Sequence, residues 1–151
     1  MKAAMKFVCL VLAFLVFGAV SVEAAEKSPM EVLARWAEDA LAGYSAYDEF
    51  IADTSEAQVK IVFSVEGSVR DFKVLKIDFE DINESGKPMF SVVELHTLDR
   101  LTPERPLVLG MTFWGSIPHY GISYVDESGT TRNYAVHESG EDGSLLLVEF
   151  E

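Results

Sequence analysis

A chain of 151 residues is long enough for one domain with a hydrophobic core and short for two. Its formal net charge of −13 repels phosphate backbones and anionic headgroups, so we expect no binding to nucleic acid or to a membrane surface. Cys9 is the single cysteine, so the chain is free of internal disulfides.

The first 24 residues have the composition of a secretory signal peptide. Lys2 and Lys6 supply the positive start, and residues 7–20 form an apolar run. Val22 and Ala24 provide the small residues that signal peptidase requires before its cleavage site. This run is shorter than the roughly 20 residues of a membrane-spanning helix. We therefore expect cleavage near Ala24, a periplasmic or secreted location in a bacterium, and no membrane attachment after cleavage.

Segment 28–41 predicts an amphipathic helix. Ser28 and Glu31 have the spacing of a capping box, and a helix would place four apolar residues on one face: Met30, Leu33, Ala37 and Leu41. Residues 44–56 predict a second short helix or an ordered connection. Because short helices depend on packing for stability, residues 25–57 are expected to form an N-terminal helical segment packed on a sheet.

From residue 58 onward, apolar residues recur at every second position, as they do in half-buried strands. In the run 69–79 this alternation changes phase between Val74 and Leu75, which predicts a β-bulge or a strand that changes sheets. The last run, 145–150, is apolar at nearly every position. That pattern predicts a central strand covered on both faces.

The tripeptide Glu-Ser-Gly occurs at 84–86, 127–129 and 138–140, each time between two strand-like runs. Glycine permits the tight turn and serine bonds back to the backbone, so each copy predicts a hairpin connection. The fold class is therefore α+β or mainly β. We expect one domain, 25–151, in which 58–151 forms an antiparallel sheet of about seven strands, as a sandwich or a strongly curved sheet, with one or two N-terminal helices packed on it.

No motif in the sequence specifies a reaction. A nucleophile elbow, a phosphate-binding glycine loop and a dinucleotide fingerprint are all missing, so we expect neither an enzyme nor a cofactor. His96, His119 and His137 form a metal site only if the fold brings them together. The acidic turns that contain Asp126 and Glu138 are alternative sites for calcium.

The stretch between the predicted strand 107–114 and the following hairpin is an aromatic corner. Tyrosine and tryptophan combine a flat apolar face with a polar group, which suits them to ligand binding. Corner side chains reach solvent more easily than strand side chains do. The candidate ligand-binding residues are Phe113, Trp114, Ile117, Pro118, His119, Tyr120 and Tyr124.

Together these features predict a non-enzymatic binding module for a protein, a peptide or a small ligand. One alternative is a carrier for a small apolar ligand, with a cavity between helix and curved sheet. Its lining residues would be Phe63, Phe72, Leu75, Phe90, Phe113 and Tyr124. Another alternative is a metal-binding protein that uses the three histidines.

Overall fold

The structure, a computed structural model, describes residues 32–151. The expected signal peptide and the capping-box residues Ser28 and Glu31 lie outside this part of the chain. The described residues form nine strands, one four-residue helix and a short 3-10 turn. The mainly β class is confirmed, but the expected total of seven strands with one or two helices is wrong, because two further strands form within residues 32–57, where helices were predicted.

The nine strands are arranged in two sheets. Sheet A has the order β1-β3-β6-β2, and sheet B has the order β5-β4-β7-β8-β9. Neighbouring strands are antiparallel except β2 and β6, which are parallel. The strands are β1 Leu33–Trp36, β2 Asp48–Ile51, β3 Val59–Ser64, β4 Val69–Ile82, β5 Pro88–Leu101, β6 Leu107–Met111, β7 Tyr120–Val125, β8 Thr131–Glu138 and β9 Leu145–Glu149; the helix α1 is Ala37–Ala40, followed by the turn Leu41–Gly43.

The two sheets face each other across one hydrophobic core and form a sandwich. Ile61 and Phe63 of sheet A meet Phe72, Val74 and Ile122 of sheet B in this core, and all five side chains are buried. The rings of Phe63 and Phe72 lie 5.8 Å apart, centroid to centroid. Burial of the inner faces of both sheets is therefore the main source of stability.

The predicted N-terminal helix is wrong for residues 33–36, which form β1 and pair with β3. Leu33, expected on the buried face of a helix, is 45% exposed, whereas Val32, Ala34 and Trp36 pack in or against the core. These three residues also have the two-residue period of a strand. The strand period prevails here because β3 supplies backbone hydrogen-bond partners to β1.

The predicted second helix is also wrong, because Asp48–Ile51 forms β2. Asp48 accepts hydrogen bonds of 2.8 and 2.9 Å from two guanidinium nitrogens of Arg105, next to the position where β2 joins β6. Within residues 32–57 the helix α1 has a single turn, which packs Ala40 on Val62 and Val108 at the outer face of sheet A and is too short to cross the sheet. Among the described residues, none of the helical structure is long and apolar enough to cross a bilayer.

The three hairpins predicted from Glu-Ser-Gly are confirmed as β4–β5, β7–β8 and β8–β9. The predicted bulge is confirmed too, because the register between β4 and β5 shifts between Val74 and Leu75. The strand stays in sheet B on both sides of this shift. The extra residue at the shift is Leu95 of β5, while β4 pairs with β7 without interruption there. At the same position the buried residues of β4 change from the inner face, which includes Val74, to the outer face, which includes Leu75.

The prediction of a central last strand is wrong, because β9 is an edge strand of sheet B. Leu145 and Leu147 pack against the inner core, while Leu146 and Val148 are exposed on the outer face. Within residues 32–151, no further layer buries the apolar residues on this outer face.

The turn between β7 and β8 is built around the carboxylate of Asp126, a buried side chain. One oxygen accepts hydrogen bonds from the backbone and hydroxyl of Ser128 and from the backbone of Thr130, at 2.6 to 2.9 Å. The other accepts a bond of 2.9 Å from Arg132 Nε. These donors, Ser128 foremost, lower the pKa of Asp126 to about 2. Both oxygens already have protein partners, so this carboxylate acts in turn formation.

Candidate functional site

The structure divides the seven predicted site residues into a buried pair and a surface group. Tyr120 and Tyr124 belong to the core between the sheets, and the ring of Tyr124 stacks on Tyr134 with 5.9 Å between centroids. Trp114 and Ile117 are 54% and 52% exposed. The remaining three, Phe113, Pro118 and His119, are half-buried.

The two buried tyrosines serve as core residues. Burial raises the pKa of Tyr124, and the neighbouring phenol of Tyr134 adds to this effect. Burial also raises the pKa of Tyr120, with a further contribution from the negative charge of Asp53. Both phenols are therefore neutral at physiological pH, and their rings stabilise the interface between the two sheets.

The aromatic corner, residues 113–119, connects β6 in sheet A to β7 in sheet B. Near its start, Phe113 packs edge-to-face on Trp36, with ring centroids 6.0 Å apart. Trp36 is itself fixed by a 2.9 Å hydrogen bond from its indole nitrogen to the carbonyl of Gly143. At the other end the carbonyl of His119 accepts a 2.9 Å hydrogen bond from the backbone of Ile77. The corner is thus held at both ends, and Trp114 and Ile117 are exposed between them.

The outer face of sheet B has a shallow depression beside this corner. Across four neighbouring strands, the residues in register are Val148, Ala135, Gly121 and Leu75. The two small residues in the middle leave space between the larger ones. A Cβ atom on Gly121 would lie 2.7 Å from the carbonyl oxygen of Tyr134 and 3.5 Å from the ring of Phe150, so glycine permits the close packing of this region.

The far end of the β4–β5 hairpin forms the opposite wall of this depression. The pairing of β4 with β7 ends at Lys76, and the hairpin continues until it lies against the end of β9. Asn83 donates a 2.8 Å hydrogen bond to Glu151, Lys87 lies 3.3 Å from a carboxylate oxygen of Glu149, and the ring of Phe90 meets that of Phe150 at 5.0 Å. These contacts hold the hairpin over the outer face of the sheet.

Between the corner and the hairpin lies a groove of about 310 Å³, which we call the outer groove. Ile117 and Pro118 of the corner face Phe79 and Phe90 of the hairpin across it. A second hollow of about 530 Å³ shares the corner side of this groove and continues along the loop 138–143. The outer groove is almost wholly apolar, and its lining residues are Phe79, Pro88, Phe90, Ser116, Ile117, Pro118, Ala135, His137 and Val148.

The surroundings of the outer groove are acidic. Asp78 and Glu80 flank Phe79 on the hairpin, and Glu138, Glu141 and Asp142 lie on or next to the second hollow. Within residues 32–151, none of these five carboxylates forms an ion pair. The side of the groove next to the second hollow is therefore acidic, whereas Asp78 alternates with Phe79 along β4 and points to the opposite face of the strand.

The three histidines do not come together. His96 stacks on Phe50 between the sheets, with ring centroids 4.6 Å apart, whereas His137 lines the outer groove. In the described residues, no three histidine, cysteine, aspartate or glutamate side chains are grouped as a metal site. The residues proposed for an enclosed carrier cavity are also divided, since Phe63, Phe72 and Tyr124 belong to the main core and Leu75 to a separate cluster.

Sequence reasoning identified one wall of the groove and missed the rest. It did not assign a binding role to Phe79, Pro88, Ala135 or Val148, which come from four different strands. A signal was present in the apolar residues on both faces of β9, together with the small residues at 121 and 135. In comparisons with known proteins, no family model, curated protein or solved structure matched this chain, so the functional conclusion depends on the geometry of the groove.

Proposed function

We propose that this protein is a non-enzymatic binding module whose outer groove receives an apolar side chain of a partner protein or peptide. The observation that carries the proposal is an apolar depression with exposed apolar side chains at its rim, namely Phe79, Ile117 and Val148. Large contiguous apolar patches on soluble domains commonly mark sites of interaction. The corner that sequence reasoning selected supplies one side of this site.

The size and openness of the groove favour a side chain over a whole small molecule. Its volume of about 310 Å³ is at the lower end of the range for small-molecule pockets, about 300–1,000 Å³. An extended partner segment that inserts one large apolar residue would cover Phe79 and Ile117 together. An apolar anchor in a desolvated pocket is also the usual source of binding energy at protein interfaces.

The acidic surroundings indicate the charge of the partner. Glu138, Glu141 and Asp142, on or next to the second hollow, would attract lysine or arginine residues that flank the apolar anchor. Such attraction increases the association rate and suppresses acidic competitors more than it increases affinity. We therefore propose an apolar residue with basic neighbours as the recognised feature.

Two parts of this proposal depend on the sequence alone. The periplasmic or secreted location follows from the signal-like composition of residues 1–24, and the single domain 25–151 follows from the expected cleavage near Ala24. The small-molecule carrier has less support, because the helix that would cover its cavity is a single turn. The metal-binding alternative has less support, because His96 and His137 lie in different regions.

The proposal can be tested by an NMR titration of the isotope-labelled secreted chain with three short capped peptides. Each peptide has a central leucine, flanked by two lysines, two serines or two glutamates on each side. We expect the lysine peptide to shift the resonances of Ile117, Ala135 and Val148 most and the glutamate peptide least. If none of the peptides affects these residues, the groove is not a docking site for an apolar side chain. If all three act equally, the groove binds but the charge preference is wrong.

A substitution at the corner gives a second test. Ile117→Asp places a charge in the groove, and we expect it to weaken binding of the lysine peptide at least about tenfold, which corresponds to about 1.4 kcal/mol. Since Ile117 is half exposed, the melting temperature should change little. Leu33→Asp is the matched control, because Leu33 is similarly exposed on β1 and does not line the groove. A large loss of stability in Ile117→Asp would instead identify Ile117 as a core residue.

A further inference from the structure

Strand β5 is an edge of sheet B and has no strand neighbour on one side in the described part of the chain. Folded proteins usually protect such edges, because an open row of backbone donors and acceptors pairs readily with another chain. The other edges of this sandwich are protected. β1 and β9 lie against each other, and β2 has only four residues, beginning with Asp48 and Glu49.

The first part of β5 has little of this protection beyond Pro88 at its start. Residues 88–93, with the sequence Pro-Met-Phe-Ser-Val-Val, include no charged side chain, although the chain as a whole has a net charge of −13. Val92 and Val93 are 50% and 59% exposed, one on each face of the sheet, and Met89 is also exposed. β-Branched and aromatic residues also have a high preference for strands. An edge that is uncharged, apolar and exposed can pair with the strand of another molecule.

The same segment is complementary to itself. In an antiparallel pair of two β5 edges related by a two-fold axis at Ser91, Met89 lies opposite Val93 of the second copy, and Phe90 lies opposite Val92 of the second copy. The two-fold axis repeats each of these pairs, with the Met89–Val93 pairs on one face of the sheet and the Phe90–Val92 pairs on the other. Such apolar cross-strand pairs stabilise antiparallel sheets. Glu94 lies opposite Pro88 of the second copy, so no two carboxylates oppose each other. Two acidic molecules can therefore meet at this edge without placing like charges in contact.

We infer that two copies of this chain pair through residues 88–94 of β5 and join their B sheets into one continuous sheet. The contact is isologous, since the same segment contributes to both sides, and it is therefore closed at two copies. The remaining charge of both molecules opposes association over longer distances, and salt screens this repulsion. The dimer consequently tightens as ionic strength rises, which is the opposite of a contact held by ion pairs.

Analytical ultracentrifugation of the processed chain tests this inference over a range of protein concentrations at low and high salt. The expected result is a concentration-dependent dimer whose dissociation constant falls as salt increases. Val93→Glu puts a carboxylate on each side of the axis, and we expect it to weaken the dimer at least about tenfold. Leu146→Glu on the edge strand β9 is the matched control, because it introduces the same glutamate at another exposed apolar position, and it should leave the dimer unchanged.

A cysteine substitution tests the register directly. In a Cys9→Ala background, Ser91→Cys places two thiols opposite each other across the axis, at a spacing that a disulfide can bridge. Mild oxidation should then give a covalent dimer, whereas Thr97→Cys, an exposed position of the same strand, should not cross-link. A chain that stays monomeric at all concentrations and salts overturns the inference. So does a dimer that Val93→Glu and Leu146→Glu weaken equally, or one in which Ser91→Cys does not cross-link.

Discussion

Phe72→Ala should lower the free energy of unfolding by about 3–5 kcal/mol. Phe72 is 1% exposed, lies between the two sheets and packs on Phe63. Removing its ring loses apolar burial and leaves a cavity that both sheets must border. Because domains of this size are stable by only about 5–15 kcal/mol, the variant loses a large part of its total stability. Urea denaturation of the parent and the variant measures this difference, provided that the unfolding free energy of both proteins has the same dependence on urea concentration.

Phe79→Ala is the internal control for this prediction. Phe79 lies in the same strand, β4, but is 46% exposed at the rim of the outer groove. Its truncation should cost less than about 1 kcal/mol, as expected for a surface position. Equal losses in the two variants would show that the inner and outer faces of β4 have been assigned incorrectly.

Asp126→Ala should have the next largest effect, a loss of about 2–3 kcal/mol at neutral pH. The substitution removes the buried carboxylate that accepts hydrogen bonds from Ser128, Thr130 and Arg132. Arg132 keeps a second partner in Glu149, at 3.7 Å, so it is not left without a counter-charge. Asp126→Asn retains an acceptor oxygen for the turn and should lose roughly half as much. A result in which both variants are as stable as the parent would exclude a stabilising role for this turn.

The contribution of Asp126 should also disappear in acid. Its folded pKa is lowered to about 2 from a usual value of 3.8, so the carboxylate stabilises the folded state fully only above the unfolded value. The difference in stability between the parent and Asp126→Asn should therefore be complete at neutral pH and shrink as the pH falls from about 4 towards 2. Urea midpoints of both proteins at three pH values measure this. A difference that stays constant down to pH 3 and below would contradict the assignment.

Local patterns predicted sheet B well. Its hairpins connect strands that follow each other in the chain, and each is marked by a Glu-Ser-Gly tripeptide between alternating runs. The change of phase at Val74 likewise gave the position of the bulge. In all these cases, the residues that determine the structure are close to one another in the sequence.

Sheet A was harder to predict because its strands are specified by distant partners. Val32, Ala34 and Trp36 have the two-residue spacing of a strand, whereas Leu33 and Ala37 are four residues apart, as on the apolar face of a helix. The ambiguity is resolved only by β3, which lies more than 20 residues further along the chain. For β9, a continuous apolar run was interpreted as burial on both faces. The structure shows that the outer face contributes Val148 to a groove instead.

The candidate site was predictable only in part for the same reason. Trp114, Ile117 and Pro118 were expected at the surface because they occupy a corner between strands; the structure exposes Trp114 and Ile117 and leaves Pro118 half-buried. Tyr120 and Tyr124 were selected as aromatic residues of the same stretch, but they lie on the inner face of β7. The face of a strand becomes known only when the opposite sheet is placed. The hairpin wall with Phe79 comes from a region too distant in sequence for a motif to include it.

The pairing order of the two sheets has a consequence for how the chain folds. In sheet B, three of the four pairings join consecutive strands, so short loops close them at little entropic cost. In sheet A, no two neighbouring strands are consecutive, and β2 must find β6 across more than 50 residues. We therefore expect the hairpins of sheet B to form first and to serve as the surface on which β1, β3, β6 and β2 assemble. High contact order of this kind places folding in the range of milliseconds to seconds. Until sheet A closes, the inner face of sheet B remains exposed to other chains.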